Sequence, residues 1–158
     1  MDFARPIEPR CFFVAWIFSW VTAIYVPSAL VALSDLSPLT EGRNLISAIF
    51  AVADEVSPAA KIGFAVILAA LMVAARKLIT PSALLAAVVD MLLALLAMVV
   101  MLTILPREWS RGFGIGLSGT RFALDATTIY VVGGLLSGLV FSVSEARCSV
   151  RPIKASNS

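Results

Sequence analysis

From Cys11 to Ser34 the chain runs for 24 residues without a charge, bounded by Arg10 and Asp35. About 20 apolar residues wound as a helix cross the hydrocarbon core of a bilayer, so this run predicts a spanning helix over residues 11–33. A secretory leader has an apolar run of only about 7–15 residues. This one is longer, carries Trp16 and Trp20, and has no small-x-small cleavage site near its end, so it is expected to stay uncleaved. Pro27 should kink the helix or end it near Val26, because it lacks the N–H that would bond the preceding turn.

Three further spans are expected. The second, 59–77, has an uncharged core of only 14 residues, Ile62–Ala75, but Lys61, Arg76 and Lys77 can bury their stems and keep their charges at the interface. The third, 81–105, is opened by Thr80 as cap with Pro81 at the first helical position, and Pro106 stops it. The fourth, 126–144, is opened by Asp125 and closed by Glu145 and Arg147. Between the first two spans, Asn44–Ser57 has apolar residues near helical spacing, but its apolar stretch Leu45–Ala53 is too short to cross. It is expected to be an interfacial or re-entrant amphipathic helix.

Composition agrees, since 60% of the residues are hydrophobic and 14% charged. A soluble monomer tolerates an apolar patch of roughly 300–600 Å², which such a chain would exceed. The expected fold is an all-α membrane protein: an antiparallel bundle of four transmembrane helices with a short interfacial amphipathic helix between the first and second. Residues 1–10 form an N-terminal tail, 11–144 the transmembrane domain and 145–158 a basic C-terminal tail. An even number of crossings puts both termini on one side. Seven Lys and Arg lie on that side and five on the other, which favours cytoplasmic termini. The expected setting is a cell membrane of the bacterial inner-membrane kind. Lipid is the expected partner, together with a homo-oligomer or another membrane protein.

Several chemistries are excluded. The net charge is only +2 and no five-residue basic cluster is present, so nucleic acid is not an expected partner. With no histidine, the Ser-His-Asp triad, His-bound zinc or haem and a His proton relay are all ruled out, and no cofactor or metal is expected. Cys11 and Cys148 lie 137 positions apart with no CxxC spacing; on a cytoplasmic face they are expected to be reduced thiols.

Asp90 is the residue that stands out. It is nine residues into the expected third span, about 4–5 Å along the axis from its midpoint, where a carboxylate costs about 2.5–3.5 kcal/mol to insert. It must therefore face protein or water. Ala83, Ala86, Ala87, Ala94 and Ala97 share its face, while Leu85, Val88, Leu92, Leu95 and Val99 point largely away. Gly134 and Gly138 give the fourth span a GxxxG packing surface beside Gly133 and Ser137, and Gly63, Ala70 and Ala74 form a stripe on the second. Ser19, Thr22 and Ser137 are expected at depths from which a hydroxyl can reach Asp90. No basic residue is expected there, so the acid should be protonated.

The expected function is a non-enzymatic subunit, accessory or assembly protein in which Asp90 fixes helix register or holds a partner. The alternative is an oligomeric ion-coupled transporter or channel-like protein using Asp90. A third reading, an intramembrane aspartyl hydrolase, needs a second carboxylate nearby, and Asp54 and Asp125 are both expected near the far interface. The stretch Phe50–Asp54 (FAVAD) resembles a catalytic motif of lipoprotein signal peptidases, small four-span proteins. It lacks that motif's asparagine and reverses the order of the two acids, so the activity is not carried over. Gly114–Gly119 spells GxGxxG, but it follows a predicted membrane helix, and no acid stands about 20 residues later, so a surface loop is expected there.

Overall fold

The computed structural model describes residues 8–34, 42–55, 58–78, 83–104 and 124–150, and every element among them is helical. They are α1 (Pro9–Leu33), α2 (Leu45–Glu55), α3 (Pro58–Leu78), α4 (Ala83–Ile104) and α5 (Leu124–Val150). Four of these contain stretches long and apolar enough to cross a membrane: Pro9–Leu33, Pro58–Arg76, Leu84–Met101 and Thr128–Ser149. The Thr80–Pro81 cap, the glycine-rich stretch within 105–123 and the tail 151–158 lie outside the described residues, as do residues 1–7.

One helix end differs from expectation and one agrees with it. Pro27 lies inside α1, which continues to Leu33 as expected. The Ser28 hydroxyl donates to the Ile24 carbonyl at 2.8 Å, next to the N–H that proline lacks. At the other end of the chain α5 runs on to Val150, six residues past the expected close. Charge ends an apolar run without ending a helix; Glu145, Ala146 and Arg147 are all good helix formers.

Cross-helix contacts fix how the helices pair. Phe12 meets Phe141 edge to face at 5.4 Å between centroids, Ser19 meets Ser137, and Gly133 lies under the Pro27 ring. Numbers that rise along α1 fall along α5, so the two run in opposite directions. The same holds for α4 on α5, where Gly138 abuts Asp90 and Gly134 abuts Leu95, and for α3 on α4, where Arg76 meets Asp90 and Gly63 meets Met101. On α1 the Trp16 and Trp20 indole N–H groups, stacked one turn apart, each donate at 2.9 Å, to the α3 carbonyls of Ala65 and Lys61. Helix α2 is capped by Asn44, whose side-chain oxygen accepts the Ser47 N–H at 2.9 Å. It buries Ala48, Val52 and Ala53, exposes Leu45, Ile46 and Phe50, and touches α1 through Phe50 on Tyr25.

Along α1 and α5 the buried residues are mostly small, while large apolar side chains line the outside of all four long helices. Ala15, Ala94, Ala97 and Ser137 are wholly buried, whereas Phe18, Ile62, Val66 and Leu92 are each more than half exposed. In water this would be an inverted distribution; it is the one helices adopt when they meet through close backbone approach in an apolar solvent. On the α4 face read from sequence, Asp90, Ala94 and Ala97 are buried and Ala86 and Ala87 partly so. Leu85, Val88, Leu92 and Val99 are exposed, Leu95 is half-buried against Gly134, and the Ala83 side chain lies outside the described residues. On α3 the expected stripe is corrected: Gly63 faces α4, but Ala70 and Ala74 are exposed, and Phe64, Leu68 and Met72 fill the core instead. Larger side chains on α3 reach a core that the alanines and glycines of α4 and α5 leave open.

Cys11 and Cys148, expected as free thiols, form a disulfide. The start of α1 lies beside the end of α5, and their Cα atoms stand 5.5 Å apart, within the roughly 4.4–6.8 Å that a bridge requires. The expectation failed because it rested on the compartment assigned to that face, not on the distance between the two residues.

Candidate functional site

Asp90 is the centre of the site. Helix α4 presents a small-residue face to α5, and Asp90 lies on it seven residues past Ala83, about 10 Å along the axis at about 1.5 Å per residue. Gly138 lets the α5 backbone come directly against that of Asp90 and Met91. The carboxylate is completely buried, with 0% exposure, and a charge so placed needs a partner.

That partner is Arg76, two residues before the end of α3. Its two terminal nitrogens donate to the two Asp90 oxygens at 2.8 and 2.7 Å, a bidentate fork, and one of them also donates to Glu145 Oε2 of α5 at 2.6 Å. Nε donates to the same Glu145 carboxylate at 3.1 Å, and the guanidinium carbon lies 5.3 Å from the centre of the Phe141 ring. Planar guanidinium and carboxylate match two donors to two acceptors, the strongest of the common charged pairings. Three helices are thus joined through one side chain, in which α3 contributes the cation and α4 and α5 one acid each.

The arrangement corrects two expectations. Arg76, expected to keep its charge at the interface, points inward. A basic residue does therefore reach Asp90, and its guanidinium offers one donor to each carboxyl oxygen. Arg76 starts close to its helix end, but its long side chain covers the offset in depth to Asp90 on the next helix. Glu145, expected only to close the fourth span, is the second acid. A signal was present in the sequence: Arg76 and Glu145 both flank spans at the end of the bundle from which α4 sets out toward Asp90.

The expected hydroxyl partners of Asp90 are bonded elsewhere. Thr22 donates to the Phe18 carbonyl of its own helix at 2.7 Å. Ser137 donates to the Ser19 carbonyl at 2.9 Å, and the two hydroxyls stand 2.8 Å apart, both fully buried. Because the single Ser137 proton goes to that carbonyl, Ser19 is the donor to Ser137. Ser137→Ala should lower unfolding stability in detergent by about 0.6–1.7 kcal/mol, with Ser19→Ala adding little on top. Full additivity in a double-mutant cycle would show that the two hydroxyls do not act together.

Asp54 is exposed on α2 and stands 4.0 Å from Lys61, so it does not join Asp90; the Glu55 side chain lies outside the described residues. The Asp125 side chain lies outside the described residues. Among the described residues no group of three His, Cys, Asp or Glu is arranged to hold a metal ion, and no buried side-chain nitrogen or oxygen lacks a hydrogen bond. No family model matches the chain, and comparison with curated proteins and with solved structures gives no match either.

Proposed function

We propose that the chain is a multi-pass integral membrane protein, an antiparallel four-helix bundle of a cell membrane such as the bacterial inner membrane. We further propose that it serves as a non-enzymatic subunit, accessory or assembly protein. One observation carries this reading: both Asp90 oxygens are held by Arg76, which Glu145 steadies in turn. An acid that couples ion movement must exchange its proton or cation during each cycle. An acid clamped by a guanidinium in a largely buried cluster instead locks three helices in one register. The apolar exterior of α1, α3, α4 and α5 supports lipid as the surrounding solvent.

The test is purification of the full chain in mild detergent, followed by reconstitution of the chain alone into vesicles under a pH gradient. The expected result is a stoichiometric complex with another membrane protein and no proton movement attributable to Asp90, with Asp90→Asn leaving the complex assembled. A closed homo-oligomer that passes protons or cations, and loses this when Asp90 is replaced by Asn, would establish the transport reading instead. A monomer that cleaves a lipid or peptide would defeat both.

A further inference from the structure

We infer that the face holding the start of α1 and the end of α5 lies on the disulfide-forming side of the membrane, where a thiol–disulfide oxidoreductase acts on Cys11 and Cys148. This rests on the membrane bundle proposed above. Cys11 is two residues inside the start of α1 and Cys148 two residues from the end of α5. Both therefore sit near one end of the bundle, where Cys148 stays partly exposed and Cys11 is covered in the bridged state; the oxidoreductase acts before the two helices close over them. Their Cα separation of 5.5 Å fits a bridge between the two helices.

Disulfides persist in oxidising compartments and are rare in the cytosol. A bridge tying both chain ends together therefore points those ends away from the cytoplasm and leaves α2 on the cytoplasmic side. The basic-residue balance offers little resistance. Of the seven Lys and Arg assigned to this face, Arg76 is turned inward and held by Asp90 and Glu145. The margin over the five on the other side falls to one, too small to set orientation.

The chemistry balances by exchange. One thiolate attacks the oxidoreductase disulfide to give a mixed disulfide, and the second thiolate displaces it. One S–S bond forms in this chain and one breaks in the oxidoreductase. The two cysteines give up two protons and two electrons, and the oxidoreductase leaves as a dithiol.

The experiment expresses the full chain in a bacterium and traps its thiols with a maleimide-coupled polymer. A second arm reads alkaline phosphatase or green fluorescent protein fused after Ser158. The expected result is no mass shift before reduction, a shift for two thiols after it, active phosphatase and a dark fluorescent fusion. In a host lacking the periplasmic oxidoreductase, both thiols should react without reductant. Should Cys11→Ser or Cys148→Ser fail to accumulate, the fusions on the unaltered chain still report the side. Free thiols in the normal host, or a fluorescent fusion in membranes that retain the chain, overturn the inference alone. Release of the chain by alkaline carbonate overturns the membrane reading itself.

Discussion

Arg76→Leu is expected to lower stability by about 3–5 kcal/mol, the range found when one partner of a buried ion pair is removed. The size follows from what is left behind. Asp90 has 0% exposure, and the Arg76 side chain only 16%, so water cannot replace the lost guanidinium without prying α4 from α5. Glu145, at 24% side-chain exposure, can turn toward solvent and should contribute less. Adding Asp90→Asn to Arg76→Leu should restore much of the loss, because the orphaned charge disappears. Arg76→Lys should fall between, since an ammonium is a point charge and cannot offer the planar fork. Thermal unfolding in detergent checks the series. If the double variant is no more stable than Arg76→Leu alone, an unpaired Asp90 is not the source of the cost.

Gly138→Ala should have the next largest effect, about 3 kcal/mol, at the upper part of the usual overpacking range. A Cβ at Gly138 would stand 2.5 Å from Met91 Cα and 2.6 Å from the Asp90 carbonyl carbon. Both obstacles are backbone, so no rotamer change relieves them, and α4 and α5 must separate. Gly134 makes the useful comparison. Its added Cβ would stand 3.1 Å from Leu95 Cα, so Gly134→Ala should cost clearly less. Equal costs at the two positions would mean that the helices do not cross where Gly138 meets Asp90. Separation there also loosens the Asp90–Arg76 fork, so Gly138→Ala and Asp90→Asn should be less than additive.

These two positions were not equally legible in the sequence. Gly138 was, because a GxxxG pair on an otherwise bulky helix states where a neighbour comes close. The buried face of α4 was legible for the same reason: alanines and Asp90 recur every three or four residues, with leucine and valine opposite. The four long helices follow from runs of charge-free residues. The salt-bridge cluster was only faintly legible: Arg76 and Glu145 flank spans at one end of the bundle, but depth along the helices hides how far an arginine side chain reaches from its own Cα. Arg76, close to a helix end, looked like a surface charge, and only the pairing of α3 with α4 shows that it turns inward. Ser19, Thr22 and Ser137 were sound choices as intramembrane hydroxyls, but one-dimensional depth says nothing about which way a helix is rotated. Cys11 and Cys148 show the opposite kind of error. Their shared face followed from an even number of crossings, and the inference about compartment overrode it.

The placement of small side chains where α1, α4 and α5 meet, with bulky ones on the outer flanks, also determines which exchanges the chain can absorb. Trading Leu92 or Ile62, both more than half exposed, for another aliphatic residue alters little that a neighbouring helix feels. A single extra methyl at Ala94 or Ala97, both fully enclosed, acts as a wedge between helices. Volume at the seam, more than greasiness anywhere, is therefore what natural variation in such a chain must respect. Its descendants are free to drift on the outer flanks and are held still along one narrow interior line.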